Sequence, residues 1–129
     1  MPEVGVNEYA AAARFRTALR RFMRESEIVS REHGVTPRQY LLLLQIAASE
    51  GGTATVTDLV DRLVLTQSTV TELVQRAEQA GLVERQTSQH DARVVHLSLS
   101  AHGEGVLRAI HSRLTGERLR LQQMLDGQD

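Results

Sequence analysis

Residues 56–100, VTDLVDRLVLTQSTVTELVQRAEQAGLVERQTSQHDARVVHLSLS, change hydrophobic period from 3.6 to 2 across one glycine, and that change decides the fold. Leu59, Val60 and Leu63 share one face of a first helix, with Thr55 or Thr57 available to cap its N–H groups. Leu65 and Thr66 make the turn. Thr66 caps a second helix over 67–80, in which Val70, Leu73, Val74 and Ala77 recur at helical spacing. Ser68, Thr69, Thr71, Glu72, Gln75 and Arg76 lie elsewhere on its surface. Gly81 ends it, supplying the left-handed residue that a helix C-terminus favours. Beyond it, 82–85 reads as one strand, and Val95, Leu97 and Leu99 alternate with His96 and Ser98 in another. This pattern predicts a hairpin with one buried and one solvated face, tipped by the polar segment 86–92. Two short helices followed by such a hairpin form a winged helix-turn-helix, whose second helix fits a major groove while the tip reaches a minor groove.

Outward from this motif, Thr36-Pro37-Arg38-Gln39 is a helix start, with Thr36 as cap, Pro37 at the first position and Gln39 completing a capping box. Tyr40, Leu41, Leu42, Leu43, Leu44 and Ile46 make the helix through Ala48 apolar almost all round, so it is expected at the centre of the core. Gly51 and Gly52 end it, and 53–55 suits a short strand beside the wing. Near the N-terminus Ala12, Phe15, Leu19, Phe22 and Val29 keep a helical 3-4 spacing, with Ser26 in the seam. Leu107, Ile110, Leu114, Leu121 and Met124 repeat it near the C-terminus, interrupted by Glu117. A core this small does not cover both stripes. Phe15, Leu19, Phe22, Leu107, Ile110, Leu114 and Leu121 are therefore assigned to a homodimer interface; the alternative is that they pack on the winged-helix core of their own chain. The predicted fold class is mainly α (α+β). It is one domain over 1–129, with dimerisation helices at 7–31 and 102–125 flanking a DNA-binding lobe at 37–100.

Composition sets limits. With 129 residues and 41% hydrophobic content, the chain supports one core of modest size. No apolar run approaches the ~18 residues of a membrane span and no basic-then-apolar leader is present, so a cytoplasmic location without a membrane partner is expected. Zero Cys leaves no disulfide, no thiolate metal site and no cysteine redox switch. His33, His90, His96, His102 and His111 are scattered without the i, i+4 pairing of a helical metal site, so neither metal nor cofactor is expected. The sequence has no G-x-S-x-G elbow, Walker loop or H-E-x-x-H, and Gly103-Glu104-Gly105 follows no dinucleotide-binding strand. Enzyme classes are thereby set aside. All 15 basic residues are Arg, which suits bidentate phosphate or guanine contacts and equally a GC-rich genome. Within 51–100, Arg62, Arg76, Arg85 and Arg93 face six acids (Asp58, Asp61, Glu72, Glu78, Glu84 and Asp91), a local net charge of −2 where a DNA-binding face is ordinarily basic. A winged helix that binds another protein is the rival reading.

The runs 56–63 and 67–83, then Asp91-Ala92-Arg93 and Leu97-Ser98-Leu99-Ser100, resemble in order and spacing the MarR family of bacterial transcription regulators, over nearly the whole chain. Gly103 resembles the glycine at the start of that family's last helix. The resemblance implies a homodimer on double-stranded operator DNA, usually a repressor, often released by a small aromatic or lipophilic effector near the dimer interface. It places Gln67, Ser68, Thr69 and Thr71 in the major groove, with Gln67 and Thr71 as base readers; a merely solvated helix face is the alternative. Gln75, Arg76, Arg85 and His90 extend that surface. Arg93 enters or flanks the minor groove, with Asp91 orienting it or, alternatively, only stiffening the hairpin. Two positions depart from the pattern. Glu72 stands where many members carry a basic residue, and Val64 where many carry Gly. Because a β-branched residue resists positive φ, Val64 predicts a different turn path or a longer first helix. Phe15, Leu19, Tyr40 and Leu44 are the residues expected to line an effector pocket.

Overall fold

The structure, a computed structural model, describes residues 4–87 and 93–127. Its elements are α1 (Val6–Glu32), α2 (Pro37–Ala47), a 3-10 turn (Glu50–Gly52), β1 (Thr53–Ala54), α3 (Val56–Leu63), α4 (Gln67–Gln79), β2 (Val83–Thr87), β3 (Val95–Leu99) and α5 (Ala101–Leu125). Four of the helices start on a hydroxyl. Thr36, Thr55, Thr66 and Ser100 accept the backbone N–H of Gln39, Asp58, Thr69 and Gly103 at 3.1, 3.1, 3.2 and 2.9 Å, satisfying donors that a helix start leaves open. At α2 and α3 the box is reciprocal: Gln39 Oε1 accepts from Thr36 N at 2.9 Å, and Asp58 Oδ2 from Thr55 N at 3.0 Å. The backbone N–H of Thr55, followed by its hydroxyl, holds the Asp58 carboxyl below the ordinary carboxylate range.

The sheet runs in the order β1-β3-β2 and is antiparallel throughout, with Ala54 and Arg85 flanking Leu97 in register. Leu97 thus sits in the middle strand and points into the core. There it joins Leu42, Leu43 and Ile46 of α2, Leu59 of α3, and Val70 and Val74 of α4. The central position of α2 is as the sequence predicts, but its burial is not all round. Leu41 is 46% exposed and Leu44 half-buried, because a helix with neighbours on only part of its circumference leaves the rest open. The hairpin also differs from the expected alternation. In β2 only Val83 is buried and the next four residues are exposed, and the strand extends to Thr87 rather than ending at Arg85. Beyond Val83 the strand lies outside the apolar core, so its side chains stay exposed.

The terminal helices lie against each other, and α5 also contacts α2. This contact corrects part of the interface assignment. Leu107, Ile110 and Leu114 are buried in the core of their own chain, as the same-chain alternative has it, whereas Phe15, Leu19, Phe22 and Leu121 remain half-buried. The C-terminal stripe is split because the first half of α5 is roofed by α2 and the winged lobe, and its second half runs past them.

Val64 is a further correction. It adopts φ 56, ψ 47, the left-handed conformation, and caps α3 by donating its N–H to the Val60 carbonyl. The turn keeps the path a glycine would give it, with a β-branched residue held where its Cβ crowds the backbone. The side chain is 85% exposed and gains no burial in return. Left-handed backbone costs an L-residue about 1–2 kcal/mol, of which glycine's extra unfolded-state freedom gives back about 0.4–1. Val64→Gly is expected to stabilise the protein by about 1 kcal/mol, seen as a higher urea midpoint at unchanged slope.

Candidate nucleic-acid interface

Burial of Val70, Leu73, Val74 and Ala77 pins one face of α4 to the core and fixes the opposite face outward. Gln67, Ser68, Thr71, Gln75 and Arg76 are exposed, and Thr69 is half-buried. The first turn of α4 carries no acid. Its hydroxyls form a chain: Thr66 Oγ1 donates to Thr69 Oγ1 at 2.8 Å and lies 3.3 Å from Ser68 Oγ. Such a surface offers neutral donors and acceptors without side chains long enough to block approach, which suits base edges and phosphates.

The charged residues further along α4 are paired. Arg76 Nη2 donates to Glu72 Oε1 at 2.6 Å, one turn apart. Arg85 of β2 donates through Nη2 to Glu78 Oε1 at 2.6 Å and through Nε to Oε2 at 3.3 Å. This fork ties the wing to the back of α4, and Glu78 raises the pKa of Arg85 above the ordinary arginine value. Sequence reasoning assigned Arg85 to DNA and did not see this pair, because only the turn at Gly81 brings a helix residue and a strand residue seven apart into contact. Arg93 is exposed, two residues before β3. His90, Asp91 and the expected Asp91–Arg93 bond lie outside the described residues.

Of the four predicted pocket residues, the fold brings two together. Tyr40 and Leu44 line a cleft of about 480 Å³ with Phe22, Met23, Leu41, His111 and Arg118. Phe15 does not line it, and Leu19 lies along a separate groove with Arg16 and Arg20. The reason is axial position: seven residues of helix, from Phe15 to Phe22, advance about 10 Å. Burial raises the pKa of the Tyr40 hydroxyl, and the nearby Arg118 guanidinium partly opposes the shift. Arg118 Nε is itself buried with no hydrogen-bond partner among the described residues. Among those residues, no group of three His, Cys, Asp or Glu is placed to hold a metal ion, and no helix is long and apolar enough to cross a membrane.

A capped helix with a pinned polar face, the short helix before it and a three-stranded wing behind it define a winged helix-turn-helix protein. Residues 33–94, nearly half of the chain, match the model of the MarR family. The chain is 39% identical over 69 residues to the organic hydroperoxide resistance transcriptional regulator of Bacillus subtilis, covering 54% of this chain and 46% of that protein. To the HTH-type transcriptional regulator TtmR of Methylorubrum extorquens it is 35% identical over 98 residues, covering 76% of this chain and 46% of that one. The chain thus spans about half the length of these relatives. Its fold is also that of a cysteine-to-serine mutant of MarR from E. coli complexed with operator DNA. The TM-score is 0.70 at 19% identity, covering 99% of this chain and 89% of the other.

Proposed function

We propose that this protein is a transcriptional regulator that binds operator DNA as a homodimer, with α4 in the major groove and the wing along the minor groove. The observation that carries this reading is the outward face of α4, where Gln67, Ser68, Thr71 and Gln75 are exposed and the opposite face is fixed in the core. Two relatives named as transcriptional regulators and a like-folded protein solved on operator DNA support it. The acids of the lobe are engaged locally: Glu72 pairs with Arg76, Glu78 with Arg85, and Asp58 caps α3. Each pair takes an arginine for an acid and leaves the net charge of the lobe as it was. A second copy is supported by the apolar side chains that α1 and α5 leave exposed, among them Val6, Tyr9, Met23, Leu119 and Leu125. Two copies also supply the paired recognition helices that a palindromic site requires.

The direction of control is taken as repression. Titration by fluorescence anisotropy against the DNA upstream of its own gene and a scrambled duplex, at two salt concentrations, tests the reading. A saturable preference for the upstream DNA that weakens steeply with salt is expected; equal weak binding to both would favour a winged helix turned to protein partners. We assign the cleft between α1, α2 and α5 to a small aromatic or lipophilic effector whose occupancy changes the spacing of the recognition helices. These 129 residues contain no Cys, so this reading assigns the response to a bound ligand rather than to a thiol. Tyr40→Ala is expected to abolish release of the operator by an aromatic ligand chosen in a screen, while affinity for DNA without ligand stays within about threefold, a difference of ~0.65 kcal/mol.

A further inference from the structure

A cationic feature beside α4 draws on arginines outside the motif that the sequence reading assigned to DNA. Where α1 ends and α2 begins, Arg31 and Arg38 form one wall of a cleft of about 440 Å³ whose other wall is the Thr69, Glu72 and Arg76 edge of α4. Both arginines are exposed, and neither forms an ion pair with a described residue. Of the nearby acids, Glu32 and Glu72 are engaged elsewhere, while Glu27, one turn before Arg31, lines the neighbouring cleft with Arg38. Glu32 is held by Arg113 of α5 at 3.2 Å, and Glu72 by Arg76 at 2.6 Å. Three guanidinium groups against one paired carboxylate leave the cleft net positive, although the lobe as a whole carries more acids than bases.

The geometry points to a backbone phosphate clamp: Arg31 and Arg38 hold the sugar-phosphate strand that borders the major groove occupied by α4. This rests on the operator-binding reading above. The groove is about 12 Å wide, roughly a helix diameter, so any surface alongside an inserted helix faces a phosphate strand rather than base edges. On α4 the residues toward the bases and those lining the cleft are adjacent: Ser68 beside Thr69, Thr71 beside Glu72 and Gln75 beside Arg76. With α4 seated by the first set, the strand passes the second, and the corner arginines reach it from the far wall. The clamp sets register and affinity and carries no sequence information. It also adds cations that the acidic count over 51–100 leaves out, since Arg31 and Arg38 both precede that stretch.

The test uses the full-length chain and the double variant Arg31→Ala/Arg38→Ala in anisotropy titrations over a salt series, with the upstream and the scrambled duplex. Each phosphate contact contributes about 0.9 to the slope of log K against log salt. The variant is expected to lose about 1.8 in slope per bound protomer and at least tenfold in affinity, equally for both duplexes. Arg31→Lys/Arg38→Lys should restore most of the slope, because the slope counts charges, and circular dichroism should match the parent because both side chains are exposed. A slope unchanged in the alanine variant, with the parent binding DNA, overturns the clamp alone. A loss confined to the upstream duplex also overturns it, since it would make the arginines base readers. Competition by millimolar inorganic phosphate at constant ionic strength in the parent, abolished in the variant, would identify a site for a free anion instead and overturn the clamp. Failure of the parent to bind either duplex overturns the operator-binding reading itself.

Discussion

Gly103→Ala is expected to destabilise the protein by about 2–6 kcal/mol. A Cβ built at this position comes within 2.9 Å of the Leu82 carbonyl carbon and 3.2 Å of its Cα, and closer still to the carbonyl oxygen. The obstacle is backbone and has no rotamer through which to yield. It is also held in place. The Leu82 carbonyl accepts from Ser100 N at 3.0 Å, the Ser100 hydroxyl bonds to the Gly81 carbonyl, and the same hydroxyl accepts from Gly103 N at 2.9 Å. Those bonds join the end of α4, the end of β3 and the start of α5 at one point, so room for a methyl requires moving α5 off all of them. Overpacking costs about 1–3 kcal/mol, and stranding a buried carbonyl another 1–3. Urea denaturation checks the value, with Gly105→Ala as the contrast. Gly105 has open space where its Cβ would stand, so that change should stabilise the exposed helix by up to ~1 kcal/mol.

The start of α5 also marks the boundary between what the chain states locally and what only packing decides. Thr36, Thr66 and Gly81 were legible because a cap is settled within four residues of itself: a hydroxyl, an N–H three positions on, and a residue free to turn left-handed. Val64 was not. Read alone, a β-branched residue argues against positive φ, yet the packing of α3 and α4 fixes the turn and forces the residue there. Leu107, Ile110 and Leu114 show the same limit from another side. A seam at helical spacing announces burial but not the owner of the surface that buries it, and here that surface belongs to the same chain.

The candidate interface divides in the same way. Periodicity alone separates Gln67, Ser68, Thr71 and Gln75 from the buried face of α4, so that face was visible in advance. The partners of its charged residues were not. Glu72 and Arg76 are one turn apart on one helix, but Glu78 meets Arg85 across a turn, and Arg31 and Arg38 reach α4 from a corner more than 25 residues upstream. The cleft shows an axial error of the same kind. Tyr40 and Leu44 sit on the short, well-anchored α2 and line one cleft, whereas along a 27-residue helix the stripe identifies a face without fixing a height.

The wing supports the second large effect, the loss of operator affinity in Arg93→Ala. From Glu84 to Thr87 the outer part of β2 is exposed and contributes little to the core, so a change at this end of the hairpin leaves stability nearly untouched. Arg93 is exposed on the approach to β3, two residues ahead of Val95. An arginine presented there suits the enhanced negative potential of a narrow minor groove, where a lysine is a poorer fit. A well-seated arginine contact contributes about 1–3 kcal/mol, and a dimer makes two, so the expected loss at physiological salt is about 30-fold to 10⁴-fold. Light scattering should show the same assembly as the parent, and Arg93→Lys should fall between the two. A dimer that binds the upstream duplex as tightly without Arg93 as with it would confine recognition to α4 and its corner clamp, leaving the wing as a brace for β3.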